Sequence, residues 1–368
     1  MTTATERDVG AVYAACERFV SGDVPEWSNP KAMLERLAAR LEPSTRPDHY
    51  GRGELVERLE RRVAELLGKD AAVFFVSGTM AQQIALRLHS DRRRSRGIAF
   101  HATAHLQLYE QFGHEHLHDL HGVIVGSPHR LIERADLEAI REPVAALLLE
   151  LPQRELGGRL PDWDALLAQA DWARVRDIAL HLDGARLWEA APYYGRSHAE
   201  IAALFDTVYV SFYKGLGGIA GCALAGPGEL LDEARVWAIR HGGRVYSLYP
   251  QVLSAELGLD RALPQMEACY RHAVALGAEL AKRDWIDVVP DPPQTPMLHL
   301  YLRGDRERLV EAALDVAEER RTWLFGRLAD SPLPELHMVE LQVCEPGLAL
   351  SAEEAGALFD EVRERAGR

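Results

Sequence analysis

The sequence of 368 residues has no long apolar run, no paired cysteine motif and no excess of positive charge. Its apolar stretches, such as residues 145–149, fall far short of the about 20 residues that a membrane-spanning helix needs. The N-terminus lacks the basic start and apolar block of a signal peptide. With 56 Asp and Glu residues against 42 Lys and Arg residues, the net charge of −14 disfavours non-specific binding to nucleic acid. We therefore expect a cytoplasmic protein that binds neither membranes nor nucleic acids.

Cysteine is rare, and its spacing matches no common disulfide or zinc motif. No CxxC pair or Cys/His ligand spacing occurs among the four residues, which are Cys16, Cys222, Cys269 and Cys344. Scattered cysteines in a reducing compartment are typical of buried free thiols.

Three histidines alternate with other residues near one third of the chain, at His114, His116 and His118. On a β-strand such residues would share one face, which would suit a metal ion. Only Glu115 and Asp119 accompany them as carboxylates that could orient metal ligands. An exposed polar strand edge is the favoured interpretation, and no metal site is predicted.

Apolar runs and helical patterns alternate along most of the chain. Residues 55–68 have the apolar spacing of an amphipathic helix that ends at Gly68. Short apolar runs follow at residues 72–76, 97–100, 122–126, 145–150, 178–182 and 207–211. Continuous apolar strands that alternate with helices are typical of a largely parallel sheet covered on both faces. The sequence therefore predicts an α/β fold.

The two ends of the chain have different patterns. Helical spacing predicts helices over residues 6–21 and 30–41. After Pro250 we expect a helical stretch over 252–280 that breaks at Pro264. Strands are predicted near residues 285–289, 297–302 and 337–343. We therefore divide the chain into an N-terminal helical arm of residues 1–47, a large domain of residues 48–250 and a small C-terminal α+β domain of residues 251–368.

Three segments at the ends of predicted strands could carry chemistry. Ser77-Gly78-Thr79 precedes a helix, where amides and hydroxyls could bind a phosphate or simply cap the helix. Asp183 could bind a metal, a ribose or a protonated ring nitrogen, or cap a helix. Lys214 precedes a glycine-rich loop, so it is either a surface lysine or a desolvated lysine that forms a Schiff base. Together, in this order, these groups are what pyridoxal phosphate (PLP) requires.

Several motifs are similar to those of one enzyme family. They are Tyr50-Gly51, the run AELLGKDAAVFFVSGTMA, Ala104-His105, HLDGARLW and YKGLGG. From about residue 30 to the end, the chain resembles the threonine aldolase and beta-eliminating lyase family of fold-type I PLP enzymes. The resemblance implies an aspartate-aminotransferase-like fold, with a mostly parallel seven-stranded sheet in the large domain and a small C-terminal α+β domain. It also implies a homodimer or homotetramer that acts on a small amino acid.

The resemblance implies a role in cofactor binding for several residues. Lys214 would hold the PLP aldehyde, and Asp183 would pair with the pyridine nitrogen. His105 would stack on the ring and take part in proton transfer as a second catalytic residue. The phosphate would be held by Ser77, Gly78 and Thr79, with Arg240 and Arg244 in a loop that approaches it.

The resemblance also implies substrate contacts, and the chain departs from the family pattern there. Arg186 would bind the substrate carboxylate, and Tyr50 would reach across a dimer interface. Gln153 replaces a histidine that lies near the substrate hydroxyl in the family, and His337 replaces a second carboxylate-binding arginine. The family's N-terminal Arg-Ser-Asp-Thr segment has no counterpart before Pro30, and Phe212-Tyr213 precede the lysine where small residues are usual.

These departures spare the cofactor residues and change the substrate side. The first hypothesis is a PLP-dependent lyase that cleaves a β-hydroxy-α-amino acid by retro-aldol chemistry, with glycine or a related amino acid and an aldehyde as products. The second is a β-elimination, a β-substitution or a biosynthetic condensation on a specialised amino acid. The third is a catalytically silent family member, which the retention of Lys214, Asp183 and Arg186 disfavours.

Overall fold

The computed structural model describes residues 7–23, 29–331 and 333–367. One compact unit comprises Leu37–Pro264, and a second comprises Gln265–Arg368 together with the described residues before Leu37. The division into domains at residues 47 and 250 stays a prediction. Within the described ranges, every helix is too short or too polar to cross a membrane.

The helices of the described residues lie in both units. In chain order they are α1 (Val9–Ala15), α2 (Pro30–Ala38), α3 (Glu54–Leu67), α4 (Gly78–Arg93), α5 (His105–Leu108), α6 (Gly113–His118), α7 (Arg134–Glu138), α8 (Trp163–Val175), α9 (Ala191–Tyr194), α10 (His198–Ala202), α11 (Gly228–Arg240), α12 (Tyr249–Arg261), α13 (Met266–Leu280), α14 (Arg306–Arg320) and α15 (Ala352–Ala366).

The strands of the described residues form three sheets. In chain order they are β1 (Arg18–Phe19), β2 (Ala71–Phe75), β3 (Gly97–His101), β4 (His121–Val125), β5 (Val144–Glu150), β6 (Ala179–Gly184), β7 (Thr207–Ser211), β8 (Cys222–Gly226), β9 (Ile286–Val289), β10 (Met297–Arg303), β11 (Thr322–Trp323), β12 (Ala329–Asp330) and β13 (Leu336–Gln342).

The larger unit is built on a seven-stranded sheet with the order β2-β8-β7-β6-β5-β3-β4. The neighbouring pairs β7-β6, β6-β5, β5-β3 and β3-β4 are parallel, whereas β8 runs antiparallel to both β2 and β7. The mostly parallel seven-stranded sheet is therefore confirmed. In such sheets ligands bind at the carboxyl ends of the strands, and this edge holds Glu150, Asp183 and Ser211.

The six apolar runs predicted as strands correspond to β2–β7, and their ends differ from those of the strands by at most two residues. The seventh strand, β8, was not predicted. Its sequence, CALAG, consists mainly of alanine and glycine, which are depleted in strands. The strand forms because it lies between β2 and β7, where all five residues are buried.

Helix α3 follows the predicted amphipathic pattern. Leu55, Leu59, Val63 and Leu67 are buried on one face, and Gly68 ends the helix with a left-handed φ of 58°. Few residues other than glycine adopt that conformation at low energy. Helix α4 packs against β2, because Ile84 belongs to the same apolar core as Val73 and Phe75.

The prediction that His114, His116 and His118 could share one strand face is wrong. These histidines lie in or at the end of helix α6. Successive helical residues are about 100° apart, so His114 and His116 point to different sides. Across the described ranges, no group of three or more His, Cys, Asp or Glu side chains is placed to hold a metal ion.

The smaller unit contains a four-stranded sheet with the order β12-β13-β10-β9, and all its pairs are antiparallel. Its core includes Leu298, Leu300 and Leu302 of β10 together with apolar residues of α13, α14 and α15. The predicted break at Pro264 is confirmed, because α12 ends before it and α13 begins after it. Of the free cysteines Cys16, Cys222, Cys269 and Cys344, the first three are buried and Cys344 is half-buried.

The predicted N-terminal helix over residues 6–21 is shorter in the structure. Residue 6 lies outside the described residues, and α1 ends at Ala15. Arg18–Phe19 leave the helical path because they pair in parallel with Thr322–Trp323 of the same unit. This long-range pairing explains why helical spacing alone gave the wrong end.

Candidate functional site

Asp183 lies at the carboxyl end of β6, where it is 1% exposed. Its Oδ1 accepts a hydrogen bond from the backbone N–H of Ala185 at 3.1 Å. Its Oδ2 accepts one from Nε2 of Gln82 at 2.8 Å, so helix α4 fixes the carboxylate. These two contacts hold Asp183 in one orientation at the edge of the sheet where a ligand would bind.

Lys214 follows β7 on the neighbouring strand end and is half-buried. Burial lowers the pKa of Lys214 because the charged amine is desolvated, and the nearby Asp183 carboxylate acts in the opposite direction. Arg186 adds to the lowering by repulsion between like charges. A lysine with a lowered pKa is more often neutral and therefore more nucleophilic. The structure thus places Lys214 and Asp183 in one electrostatic environment.

Glu150 ends β5 directly opposite Asp183 in the strand register. Burial raises the pKa of Glu150 to about 7, and repulsion by Asp183 contributes in the same direction. The N–H of Arg154 donates to Glu150 Oε1 at 3.0 Å and opposes this shift, as does the charge of Lys214. Sequence reasoning did not select Glu150 as a site residue, although it ends a buried strand just as Asp183 does.

The segment Ser77-Gly78-Thr79 begins helix α4, and the Ser77 side chain makes no capping hydrogen bond there. The first N–H groups of a helix have no partners within the helix, and they attract anions. A methyl group on Gly78 would overlap the hydroxyl of Tyr209, so only glycine lets the helix start this close to β7. This geometry suits a phosphate group.

His105 begins helix α5 and forms a pair with a buried carboxylate. Its Nδ1 lies 3.1 Å from Oε1 of Glu110, whose side chain is 0% exposed. The other oxygen of Glu110 accepts a hydrogen bond from Gln83 Nε2 at 3.0 Å. With Nδ1 bound to Glu110, Nε2 of His105 is left for a ligand. The sequence pointed to His105 but not to Glu110 or Gln83.

Arg186 follows β6 and lies near the loop after Lys214. Its Nε is 4.0 Å from Oε1 of Glu189, whose side chain is fully buried. A methyl group on Gly215 would overlap that same carboxylate. The glycine after the lysine therefore lets the loop pass close to Glu189.

Gln153 is 3% exposed and lies next to Glu150. Its Nε2 donates to Glu150 Oε2 at 3.1 Å and to Thr103 Oγ1 at 3.3 Å. The predicted substrate residue Gln153 is thus one hydrogen bond from a carboxyl group that interacts with Lys214 and His105.

Tyr50 and Arg244 lie together elsewhere in the same unit. The Arg244 guanidinium is 4.7 Å from the centre of the Tyr50 ring. Both residues line a cavity of about 180 Å³ whose walls include neither Lys214 nor Asp183. The roles of Tyr50 and Arg244 in substrate and phosphate binding stay predictions, as does that of Arg240, which contacts the Trp237 ring.

His337 lies in β13 of the smaller unit, opposite Leu302 of β10. Strand alternation places it on the same sheet face as Val339 and Leu341, both of which belong to the apolar core. A role of His337 in substrate binding stays a prediction.

A family model described as beta-eliminating lyase matches residues 28–303 of the chain. The chain belongs to the beta-eliminating lyase family. The curated aldolase vrtJ of Penicillium aethiopicum is 36% identical over 237 residues, which cover 58% of this chain and 59% of that protein. The chain therefore spans less than two thirds of the length of this curated relative.

Two solved structures match this member of the beta-eliminating lyase family over nearly their whole length. A candidate L-allo-threonine aldolase of Listeria monocytogenes is 35% identical, with a TM-score of 0.91, and the match covers 96% of this chain and 98% of that one. A candidate aromatic amino acid beta-eliminating lyase/threonine aldolase of Exiguobacterium sp. 255-15 is 37% identical, with a TM-score of 0.91 and coverage of 96% and 99%. The fold-type I architecture is confirmed.

The beta-eliminating lyase family uses PLP, and the residues of this chain fit that cofactor. The start of α4 offers unpaired N–H groups and the Ser77 hydroxyl for a phosphate. Asp183 offers a fixed carboxylate for a ring nitrogen, and Lys214 offers an amine of lowered pKa. The donors and acceptors thus match the three polar groups of PLP.

Proposed function

We propose that the protein is a PLP-dependent carbon–carbon lyase that cleaves a β-hydroxy-α-amino acid to an aldehyde and glycine or a related amino acid. The observation that carries this proposal is the shared environment of Lys214 and Asp183 at the carboxyl edge of the sheet. When bound, PLP supplies an electron sink for the pair released from the broken bond. Lys214 would hold its aldehyde, Asp183 its ring nitrogen, and Ser77-Gly78-Thr79 its phosphate.

The remaining residues would act on the amino acid. Arg186 would bind the substrate carboxylate, for which its planar guanidinium offers two parallel hydrogen bonds. His105 would take the hydroxyl proton on Nε2, because Nδ1 is engaged by Glu110. The burial of Glu110 keeps this pair in a fixed orientation.

A second candidate is a β-elimination, a β-substitution or a condensation on a specialised amino acid. The replacement of histidine by Gln153 supports it, because a neutral amide cannot take a proton from a substrate hydroxyl. A catalytically silent family member is the least favoured reading, since Lys214, Asp183 and Arg186 are all retained.

We further propose that the protein is a cytoplasmic homodimer or homotetramer. Tyr50 is 48% exposed and Tyr246 is 60% exposed, and their rings touch edge to face beside Arg244. Exposed aromatic and arginine side chains of this kind are typical of subunit interfaces. Sedimentation velocity of the purified protein tests this, and a monomer at all concentrations would contradict it.

The visible spectrum of the purified protein with PLP tests the proposed function. We expect an absorbance band of bound PLP that Lys214→Ala abolishes. Threonine isomers and phenylserine are then added, and release of an aldehyde supports the lyase. Release of ammonia and a keto acid supports the elimination instead. No band, or one that Lys214→Ala leaves unchanged, would exclude both.

A further inference from the structure

A large cavity lies at the amino ends of three parallel strands, at the opposite end of the sheet from the candidate site. Its volume is about 700 Å³, within the range of about 300–1,000 Å³ that is usual for small-molecule sites. Its wall is formed by residues before β3, at the start of β5 and before β6. Val144 belongs to this wall, and Glu150 ends the same strand six residues later, which corresponds to about 20 Å. The cavity is therefore separate from the site that holds Glu150 and Asp183.

Positive charge dominates the wall of this cavity, although the chain as a whole has a net charge of −14. Five arginines and three carboxylates line it, which leaves a formal charge of +2. The arginines are Arg92, Arg93, Arg94, Arg141 and Arg176, and the carboxylates are Glu138, Glu142 and Asp177. A concave surface with an excess of one charge attracts small ions of the opposite charge.

Two of these arginines form ion pairs within the fold. Arg92 Nη2 lies 2.8 Å from Oε1 of Glu233, and Arg93 Nη2 lies 3.3 Å from Oδ1 of Asp177. Arg93 Nε also donates to the carbonyl oxygen of Asp177 at 2.6 Å. The charges of Arg92 and Arg93 are thus balanced by the protein itself, and they stabilise the end of α4.

Arg94 and Arg141 differ from that pair. Both are exposed, and among the described residues neither guanidinium forms a hydrogen bond, an ion pair or a ring contact. Each therefore offers its N–H donors and its charge to a ligand in the cavity. The planar guanidinium group matches the geometry of phosphate and carboxylate oxygens.

The backbone of Arg94 favours a role in binding over a role in folding. Helix α4 ends at Arg93, and Arg94 follows with a left-handed φ of 51°. Glycine is the usual residue in this conformation at a helix end, because it has no Cβ. Other residues that are held in such a conformation cluster at ligand sites. The chain thus has an arginine where glycine would fold at lower energy.

A buried N–H group in the same wall has no acceptor. Trp172 of α8 is 2% exposed, and its Nε1 has no hydrogen-bond partner among the described residues. The Arg176 guanidinium lies 4.9 Å from the centre of the Trp172 ring, and its Nη1 donates to the Trp172 carbonyl oxygen at 3.4 Å. Most buried N–H groups in folded proteins have a partner. An oxygen atom of a ligand in the cavity would supply the missing acceptor.

We propose that this cavity is a binding site for a small phosphate monoester. At pH 7 such a group carries about −1.5 to −2 charges and several acceptor oxygens. Its charge matches the +2 of the wall, and its oxygens match the donors of Arg94, Arg141 and Trp172. Leu137 and Ile140 of the same wall offer apolar surface to the organic part of the ester.

Isothermal titration calorimetry tests this with glycerol 3-phosphate as the probe. The PLP-loaded protein is first freed of excess PLP by gel filtration, because PLP is itself a phosphate monoester. We expect one bound glycerol 3-phosphate per chain. In the double variant Arg94→Gln/Arg141→Gln its Kd should rise roughly 10- to 100-fold, because two charge-assisted contacts are lost. Arg46→Gln removes an exposed arginine outside the cavity and should leave the Kd unaltered.

Several outcomes would overturn the proposal. One is the absence of binding to the unaltered protein, and another is the same Kd in the double variant. An equal loss of affinity in Arg46→Gln would show that the attraction is a general effect of charge. Succinate carries two carboxylates, and if it binds as tightly as glycerol 3-phosphate, the assignment to a phosphate monoester is wrong. Circular dichroism of the variants confirms that they fold.

Arg94→Gly separates a role in binding from a role in folding. The substitution removes the guanidinium and allows the left-handed backbone at lower energy. We expect the Kd for glycerol 3-phosphate to rise roughly 5- to 10-fold while Tm rises by about 1–2 °C. A fall in Tm together with an unchanged Kd would show that Arg94 serves the fold, which would overturn its assignment to the ligand.

Discussion

Glu150 lies directly opposite Asp183 in the register of the parallel strands β5 and β6. Asp183 is engaged by Gln82 and by the N–H of Ala185. Glu150 has its pKa raised to about 7, mainly by burial and then by repulsion from Asp183. One sheet edge thus holds two carboxyl groups in different environments. The carboxyl group of Glu150 is the one that changes its charge near neutral pH.

This relationship predicts a pH-dependent stability. The folded protein keeps a proton on Glu150 from its ordinary pKa of 4.5 up to about 7, whereas the unfolded chain releases it. The free energy of unfolding therefore falls as the pH rises through this window, by up to about 3 kcal/mol from this group. Glu150→Gln removes the decline, which urea unfolding of the cofactor-free protein at pH 5, 6, 7 and 8 would measure.

The exposed Glu142, eight residues before β5 ends, gives a matched control. Glu142→Gln should leave the pH dependence of unfolding as it is in the unaltered protein. The same pH dependence in Glu150→Gln and the unaltered protein would show that Glu150 titrates normally in the fold.

Local sequence patterns were sufficient for several parts of the fold and the site. The strands β2–β7 could be predicted because each is a continuous apolar run between helical patterns. Asp183 and Lys214 could be selected because each follows such a run. Parallel strands bring their carboxyl ends to one edge, so their proximity followed from topology.

Other parts depend on contacts between distant residues. Gln82 and Asp183 are 101 residues apart, and their hydrogen bond exists only because α4 packs beside β6. Strand β8 forms between two strands despite its alanine-rich sequence. Gln153 Nε2 donates to Thr103 Oγ1, which lies 50 residues earlier in the sequence. No local pattern encodes these relationships.

The contact between His105 and Glu110 leads us to expect that a substitution at Glu110 slows catalysis without weakening substrate binding. Glu110→Gln keeps the shape of the side chain, but its amide oxygen accepts from Gln83 and its N–H then faces Nδ1 of His105. Nδ1 becomes the acceptor and Nε2 carries the hydrogen, so Nε2 can no longer take a proton, and we expect kcat for threonine cleavage to fall roughly 10- to 100-fold with KM nearly unchanged. Steady-state kinetics at pH 7 to 9 checks this.

The exposed Glu115 in helix α6 is a control for Glu110. Glu115→Gln should retain the kcat of the unaltered protein. A rise in KM without a change in kcat for Glu110→Gln would contradict the assignment of Glu110 to the orientation of His105.

The close approach at Gly78 predicts weakened cofactor binding. Gly78→Ala places a methyl group into the Tyr209 hydroxyl, so the start of α4 must shift. We expect destabilisation of about 1–3 kcal/mol and a higher Kd for PLP. Tyr209→Phe in the same chain removes the hydroxyl and should restore part of both quantities. Thermal unfolding measures the stability, and fluorescence titration measures the Kd for PLP. If Tyr209→Phe restores neither quantity, the overlap with the Tyr209 hydroxyl is not the cause of the losses in Gly78→Ala.

Asp48 links the start of helix α12 to the turn that carries the exposed Tyr50. Its Oδ1 accepts hydrogen bonds from the N–H groups of Leu248 at 2.7 Å and Tyr249 at 2.9 Å, which lie at the start of α12. Its Oδ2 accepts one from Gly51 N at 3.2 Å, in the turn that carries Tyr50. One buried carboxylate therefore ties the turn at Tyr50 to the start of the helix.

Asp48→Ala leaves those N–H groups without an acceptor, and we expect a loss of about 1–2 kcal/mol in the free energy of unfolding. Asp48→Asn retains one acceptor oxygen and should lose less, while the exposed Asp70→Ala should lose almost nothing. Because Tyr50 is released in Asp48→Ala, self-association should also weaken if this surface joins two subunits. Urea unfolding measures the stability of the three variants, and sedimentation velocity measures their self-association. If the surface at Tyr50 lies outside the subunit interface, Asp48→Ala will lower the stability and leave the association constant unaltered.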